Sequence, residues 1–459
     1  MIEENQKRGE LLMRIVMCTL ALSAMSVLIF NFVLADIQDT FQISTAQVSW
    51  VTSVYGLIYG IGTVIYGKLA DRYRLKHVLT FGLVIFASGS LIGLMSQTFS
   101  VLLFARCLQA AGASAIPATA MLIPLRYFPP EKRGSAIATA FVGLALGTAL
   151  GPIVSALIVS FAHWRWLFCV PLFILLTLPF YHKYLQEDEA HQSGGTIDWI
   201  GGGFLAITVT FLLLSITNGT LLLAVGSAIT LGLFIFRIRS TSEPFIESQL
   251  FKNKAYTIGL AMALLISGIG VSLYFLSPLL LAEVQQLPAN WIGFFMVPAA
   301  VASALMGRKG GKLADTKGNP FLFYTASGLL IGCFFLLALF TWASPVFIAA
   351  FLILGNVGQT FMMVAISNSV SMTLAKKEEG VGMGLLALMN FLSTGMAVGV
   401  YGKVIDLGSK SHWFSMNVEP NVLTYSNIFF VLALLHLLVL ALYVGLAKVK
   451  QKKTYAKNM

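Results

Sequence analysis

An α-helix needs about 20 mostly apolar residues to cross the ~30 Å hydrocarbon core of a bilayer. Runs of that length follow one another along this chain, over 11–34, 47–66, 78–97, 100–122, 135–160, 166–182, 198–217, 220–236, 255–283, 291–307, 321–342, 345–373, 381–405 and 424–447. Lipid offers no partner to a backbone N–H or C=O, so each run must satisfy its own by folding as a helix. The chain is 57% hydrophobic and 11% charged, against about 25% charged in a soluble domain. The expectation is an all-α integral membrane protein with 14 transmembrane helices.

The positive charges orient it. With the N-terminus inside, 26 of the 30 Lys and Arg residues fall at the two termini or in inward loops. The exceptions are Arg106, Arg165, Lys403 and Lys410. This bias places both termini in the cytoplasm and favours an even number of crossings. The net charge of +11 is thus a topology signal, and no basic module of the nucleic-acid-binding kind accompanies it. The first run is too long for the apolar part of a cleavable signal, so it reads as the first membrane helix. Cys18, Cys107, Cys169 and Cys333 lie in separate apolar runs without CxxC spacing, which indicates neither a disulfide framework nor a metal site. No GxxxxGK[ST] loop occurs, so no ATP chemistry and no cofactor is expected, and transport energy would come from an ion gradient.

The chain also repeats itself. Gly67-Lys68-Leu69-Ala70-Asp71 recurs as Gly311-Lys312-Leu313-Ala314-Asp315, and Glu131–Gly134 resembles Lys377–Gly380. Gly147-Thr148-Ala149-Leu150-Gly151 echoes Gly395-Met396-Ala397-Val398-Gly399. Parallel six-helix repeats belong to transporters whose halves move about a midplane site. The offset between the copies exceeds what six helices need and leaves room for two more. The expected layout is a six-helix bundle at 1–182, two inserted helices with their flanking loops at 183–254, and a six-helix bundle at 255–459.

On these residues the whole chain resembles the major facilitator superfamily, and within it the fourteen-helix drug:proton antiporters, similar to tetracycline-efflux and multidrug-efflux proteins. Gly67–Lys76 resembles the loop between the second and third helices, with its second copy at Gly311–Gly318. The resemblance implies a gating role for Gly67, Asp71, Arg72, Gly311 and Asp315. The family has Gly where Arg74 stands, so a reshaped turn is expected there. Leu102–Gly112 resembles the fourth-helix motif. Arg106 is a charge inside an apolar run, where charge is costly and usually functional, and Gln109 shares its face. The resemblance implies proton coupling at Arg106. Gly143, Gly147, Gly151 and Pro152 form GxxxGxxxGP, which resembles the family's antiporter motif; physically it is a stripe that allows close helix contact, ended by a residue that removes a backbone donor. His163-Trp164-Arg165-Trp166, Ile197–Gly201 and Pro244–Tyr256 resemble segments of the fourteen-helix group.

A proton antiporter needs a membrane-embedded group that trades a proton for cargo, commonly a buried carboxylate. Here the chain departs from its resemblance. Where tetracycline pumps carry Glu in the first and thirteenth helices it has Val27 and Thr394, and where multidrug relatives carry Asp it has Ser26. Asp36 is the acid expected to face Arg106. His436 lies mid-run and is expected to be a satisfied structural group, and Glu283 a helix-end acid. Asn31, Tyr55, Phe141, Asn390 and Phe391 are expected to line the cargo cavity, since the resemblance places their helices there. The expected function is proton-coupled export of amphipathic drugs or antibiotics across a bacterial plasma membrane. The alternative is gradient-driven transport of one native metabolite. The expected partners are a small amphipathic substrate, protons and membrane lipid, with no nucleic acid, no enzyme activity and a functional monomer.

Overall fold

The computed structural model describes residues 2–43, 45–48, 50–185, 198–218, 220–242, 244–287, 289–408 and 420–458. Among them every regular element is helical, as a chain immersed in lipid requires. The long helices, in chain order, are α1 (Ile2–Leu28), α2 (Trp50–Arg72), α3 (Leu75–Leu94), α4 (Phe99–Tyr127), α5 (Arg133–Phe161), α6 (Trp164–Tyr184) and α7 (Trp199–Asn218). They continue with α8 (Leu221–Ser240), α9 (Lys254–Glu283), α10 (Ala289–Lys317), α11 (Asn319–Leu339), α12 (Pro345–Ser371), α13 (Glu379–Leu407) and α14 (Pro420–Asn458). Among the described residues 13 helices are long and apolar enough to cross a membrane. The long helix outside that set is α2: it has 23 residues, but its glycines, tyrosines and threonines dilute the apolar run.

Each apolar run of the sequence coincides with one of these helices; the differences lie at the ends and in breaks within α4 at Ser114, within α9 at Val271 and in the 3-10 segments of α6. The first run was expected to continue to residue 34, but α1 stops at Leu28 and passes through a 3-10 turn, Ile29–Phe32, into a separate helix, Leu34–Phe41. The apolar part of α10 ends near residue 307, yet the helix continues through its charged segment to Lys317.

Helices α1 to α6 pack among themselves, chiefly α1 on α5 and α3 on α4. Helices α9 to α14 do likewise, with α11 on α12 and α14, and α9 on α13. Two pairs chiefly join the groups, α5 with α10 and α2 with α13, with lesser contacts of α5 on α12 and of α4 on α13. The hairpin α7–α8 packs through α7 on α13 and α2. It is closed at its base by Arg237, whose Nη2 lies 3.1 Å from Asp198 Oδ1, and that same oxygen accepts from Gly201 N–H at 3.1 Å. Large apolar side chains such as Phe81, Phe104, Leu222 and Phe236 are exposed on outer faces, as expected where the surrounding solvent is hydrocarbon.

Candidate functional site

The two helix groups enclose a cavity of about 400 Å³. One side supplies Tyr59, Thr63, Met121 and Phe141; the other supplies Ser267, Gln359, Met363, Asn390 and Phe391. No Asp, Glu, Lys, Arg or His is among its lining residues. Polar contact rests on neutral groups: Ser267 Oγ donates to Asn390 Oδ1 at 2.8 Å, and Thr394 donates to Asn390 O at 2.9 Å. Gln359 Oε1 is buried and bonds nothing among the described residues. Adaptable apolar walls with a few polar points suit an amphipathic small molecule.

Of the residues expected at the cavity, Phe141, Asn390 and Phe391 line it. Tyr55 does not. It is fully buried behind Tyr59, with ring centroids 6.1 Å apart and planes at 21°. The side chains of Asn31 and Pro152 lie outside the described residues. Gln359, Ser267 and Thr63 were not expected; Gln359 alone had a legible signal, a large polar side chain in the middle of an apolar run.

Two matching ties join the helix groups. Asp71, at the end of α2, accepts backbone N–H from Gly380 at 2.6 Å and Val381 at 2.8 Å. These belong to the first turn of α13, where N–H groups have no partner within the helix and carry the positive end of its dipole. Asp315, near the end of α10, does the same to the first turn of α5, accepting from Gly134 at 2.8 Å and Ser135 at 3.0 Å. Glycines make the approach possible. A Cβ on Gly67 would stand 2.3 Å from Gly380 O, and one on Gly311 would stand 2.5 Å from Ser135 Cα. Contact continues to Gly60 against Phe391 and Gly307 against Val142. Beyond that level the stripes turn elsewhere: Gly151 meets Leu28 of α1, and Gly395 meets Leu213 of α7.

Asp71 lies past the apolar part of α2. Burial pushes its carboxyl up to about 7, against the opposing pull of the Val381 and Gly380 N–H groups and of the Lys68 and Arg126 charges. Arg72 occupies the last turn of the same helix. The turn after it is unstrained in both copies, but by different routes: Gly318 has φ +85°, which favours glycine, whereas Arg74 has φ −57°.

Arg106 is fully buried. Its Nε donates to Val51 O at 3.1 Å, and its Nη1 donates to Ser26 O at 3.4 Å and Gln109 Oε1 at 2.9 Å. Gln109 in turn donates to Ser90 Oγ at 2.7 Å. The guanidinium carbon sits 4.4 Å from the Phe30 ring centroid and 4.2 Å from that of Tyr55. The expected pairing with Asp36 is absent. Asp36 is exposed because α1 ends at Leu28, and the separate helix Leu34–Phe41 carries the acid away from Arg106.

The glycine stripe of α5 packs within its own helix group. A Cβ on Gly143 would stand 2.3 Å from Met17 O and one on Gly147 2.2 Å from Ala21 O, both on α1, while at Gly151 the nearest atom is 3.3 Å away. His436 is fully buried, and neither ring nitrogen has a partner among the described residues, contrary to the expectation of a satisfied group. Glu283, at the end of α9, accepts from the Tyr425 hydroxyl at 2.9 Å.

A helical membrane protein with an apolar cavity between two helix groups has the architecture of a transporter. The chain matches the Major Facilitator Superfamily over residues 16–398 and belongs to that family. It is 27% identical to Multidrug resistance protein 3 of Bacillus subtilis (strain 168), over 78% of this chain and 72% of that protein. It is 30% identical to Lincomycin resistance protein LmrB of Listeria innocua, over 63% of each, and 26% identical to Riboflavin transporter RibZ of Clostridioides difficile (strain 630), over 80% and 81%. Among solved structures, the human organic anion transporter MFSD10 (TETRAN) shares the fold, with a TM-score of 0.67 at 16% identity, over 94% of this chain and 99% of that one. The protein is a multi-pass membrane protein with bacterial relatives.

Proposed function

We propose that this protein exports amphipathic drugs or antibiotics across a bacterial plasma membrane in exchange for protons, by alternating access. On this reading all fourteen long helices cross the bilayer, with α2 as the least apolar, and both termini are cytoplasmic. The units are 1–182, 183–254 and 255–459, and the chain works as a monomer in lipid. The paired ties then close the cytoplasmic end, so the cavity faces outward. Arg106 with Gln109 forms the coupling unit of the first bundle.

The observation that carries the reading is the cavity: apolar, adaptable and shared by both helix groups, in a chain related to multidrug and lincomycin resistance proteins. The test is expression in a pump-deficient bacterium, with inhibitory concentrations and dye efflux measured with and without an uncoupler. Raised tolerance that the uncoupler abolishes is expected; no energised efflux across a broad panel refutes the proposal. A second reading, gradient-driven transport of one native metabolite, is favoured by the absence of any acidic residue in the cavity lining and by the kinship with a riboflavin transporter. Equilibration of a single solute without a proton gradient would establish it.

A further inference from the structure

Around Arg106, buried polar groups lack hydrogen-bond partners among the described residues. Arg106 Nη2, the Tyr55 hydroxyl and the Ser26 hydroxyl are buried and bond nothing among the described residues. The guanidinium's bonds go to neutral acceptors: Val51 O holds Nε, while Ser26 O and Gln109 Oε1 hold Nη1. No described acidic side chain bonds the guanidinium, and the Phe30 and Tyr55 rings lie against it at 4.4 and 4.2 Å. A guanidinium cannot shed its proton in a protein. A buried cation with no counter-charge among the described residues, beside buried hydroxyls without partners, is unfavourable on both counts. One negatively charged acceptor relieves both at once.

We propose that Arg106, Ser26 and Tyr55 form a receptor for one monovalent anion. Ser26 matters most: a carboxylate at that position would have supplied the counter-charge from the protein itself, and the hydroxyl leaves it to be supplied from outside. The route is short. Tyr59 lines the cavity and stacks on Tyr55, whose ring covers Arg106, so turning these two rings opens the guanidinium to the cavity. The cavity lining offers no carboxylate to hold a cationic cargo, which leaves Arg106 to favour the opposite sign. The anion is either a carboxylate borne by the cargo or a free halide. The site does not depend on the direction or energy source of transport.

The test is equilibrium binding to the purified full chain in lipid nanodiscs, without any gradient, so that failed efflux and a failed anion site remain separate results. An amphipathic aromatic compound is compared as its carboxylate, its primary amide and its amine. Chloride is titrated separately at ionic strength held by sulfate, with melting temperature as the readout. If the cargo brings the charge, the carboxylate binds at least tenfold more tightly than the amide, and Tyr55→Phe reduces that preference. Ser26→Asp abolishes it by filling the site from within, and keeps Arg106 paired so that folding is not the readout. If chloride instead raises the melting temperature of the wild type but not of Ser26→Asp, and carboxylate and amide bind alike, the site holds for a free halide. Equal carboxylate and amide binding with no chloride effect overturns the proposal, as does a preference that survives Ser26→Asp unchanged.

Discussion

Replacing Gly67 by Ala should unlatch the two helix groups. The new Cβ would stand 2.3 Å from the Gly380 carbonyl oxygen and 2.9 Å from its carbon, both backbone atoms. Relieving that contact takes a shift of about 1 Å, since nonbonded heavy atoms settle near 3.5 Å. The same shift stretches the Asp71 bonds to Gly380 and Val381 from 2.6 and 2.8 Å to lengths that no longer count as hydrogen bonds. Two routes therefore give one magnitude. Keeping the latch shut with an overpacked methyl costs ~1–3 kcal/mol, and giving up two net hydrogen bonds costs ~0.5–1.5 kcal/mol each. Either way the latched state loses ~1–3 kcal/mol relative to the open one, a fall of about 5- to 150-fold in their ratio. Helix propensity favours Ala over Gly in both states alike, so it cancels. The assay is electron–electron distance spectroscopy on spin labels at the exposed positions Tyr73 and Thr316, with the native cysteines replaced. Gly402→Ala is the control, because nothing stands within 4 Å of a Cβ there. A Gly67→Ala distance distribution that matches this control would refute the steric argument.

Three further outcomes follow from other contacts. Asp71 is held near 7 in the latched state against its ordinary 3.8, so protonation favours latching. The contribution is complete below the ordinary value and is lost as pH rises through about 7; the latched fraction should fall across that window in the wild type and stay flat in Asp71→Asn, read by the same labels. Gly147→Ala should lower thermal stability in detergent by ~1–3 kcal/mol through its clash with α1, whereas Gly151→Ala, with its nearest neighbour at 3.3 Å, should change it little. Arg237→Met leaves Asp198 buried without its cation and should cost ~1–3 kcal/mol in the same melt. Adding Asp198→Asn should recover part of that loss.

The helices were legible because lipid removes the alternatives: an apolar run of membrane length has no way to satisfy its backbone except as a helix. The ties were legible as a repeat, since Asp71 and Asp315 stand in matching segments and each finds the first turn that the other repeat supplies. What the sequence concealed is side-chain direction. Spacing places Tyr55 and Tyr59 one turn apart on the same face, yet Tyr59 meets the cavity and Tyr55 meets Arg106. The Asp36 pairing failed for a similar reason. A continuous α1 would carry Asp36 toward Arg106, but the chain turns at Ile29–Phe32, and hydropathy does not register that turn because it is as apolar as the helix before it. His436 shows the limit from the other side: periodicity buries it correctly, but only packing reveals that nothing bonds either nitrogen.

Under the proposed alternating access, the two ties also set how the latch opens. Each half contributes one acid and one helix N-terminus, so neither half can swing away as a rigid body while one tie holds. Both then belong to a single two-state equilibrium, and their losses should add. Gly311→Ala perturbs the second tie as Gly67→Ala perturbs the first, with its Cβ 2.5 Å from Ser135 Cα and 2.8 Å from Gly134 O. If the halves are rigid, the double variant lowers the latched-to-open ratio by about the product of the single effects, since contacts well separated in space add within ~0.5 kcal/mol. If α2–α13 and α5–α10 part independently, labels across one pair will report only the variant on that pair, and the double variant will match its single. The first result makes the repeat a mechanical requirement of this fold; the second would reduce it to a relic of duplication.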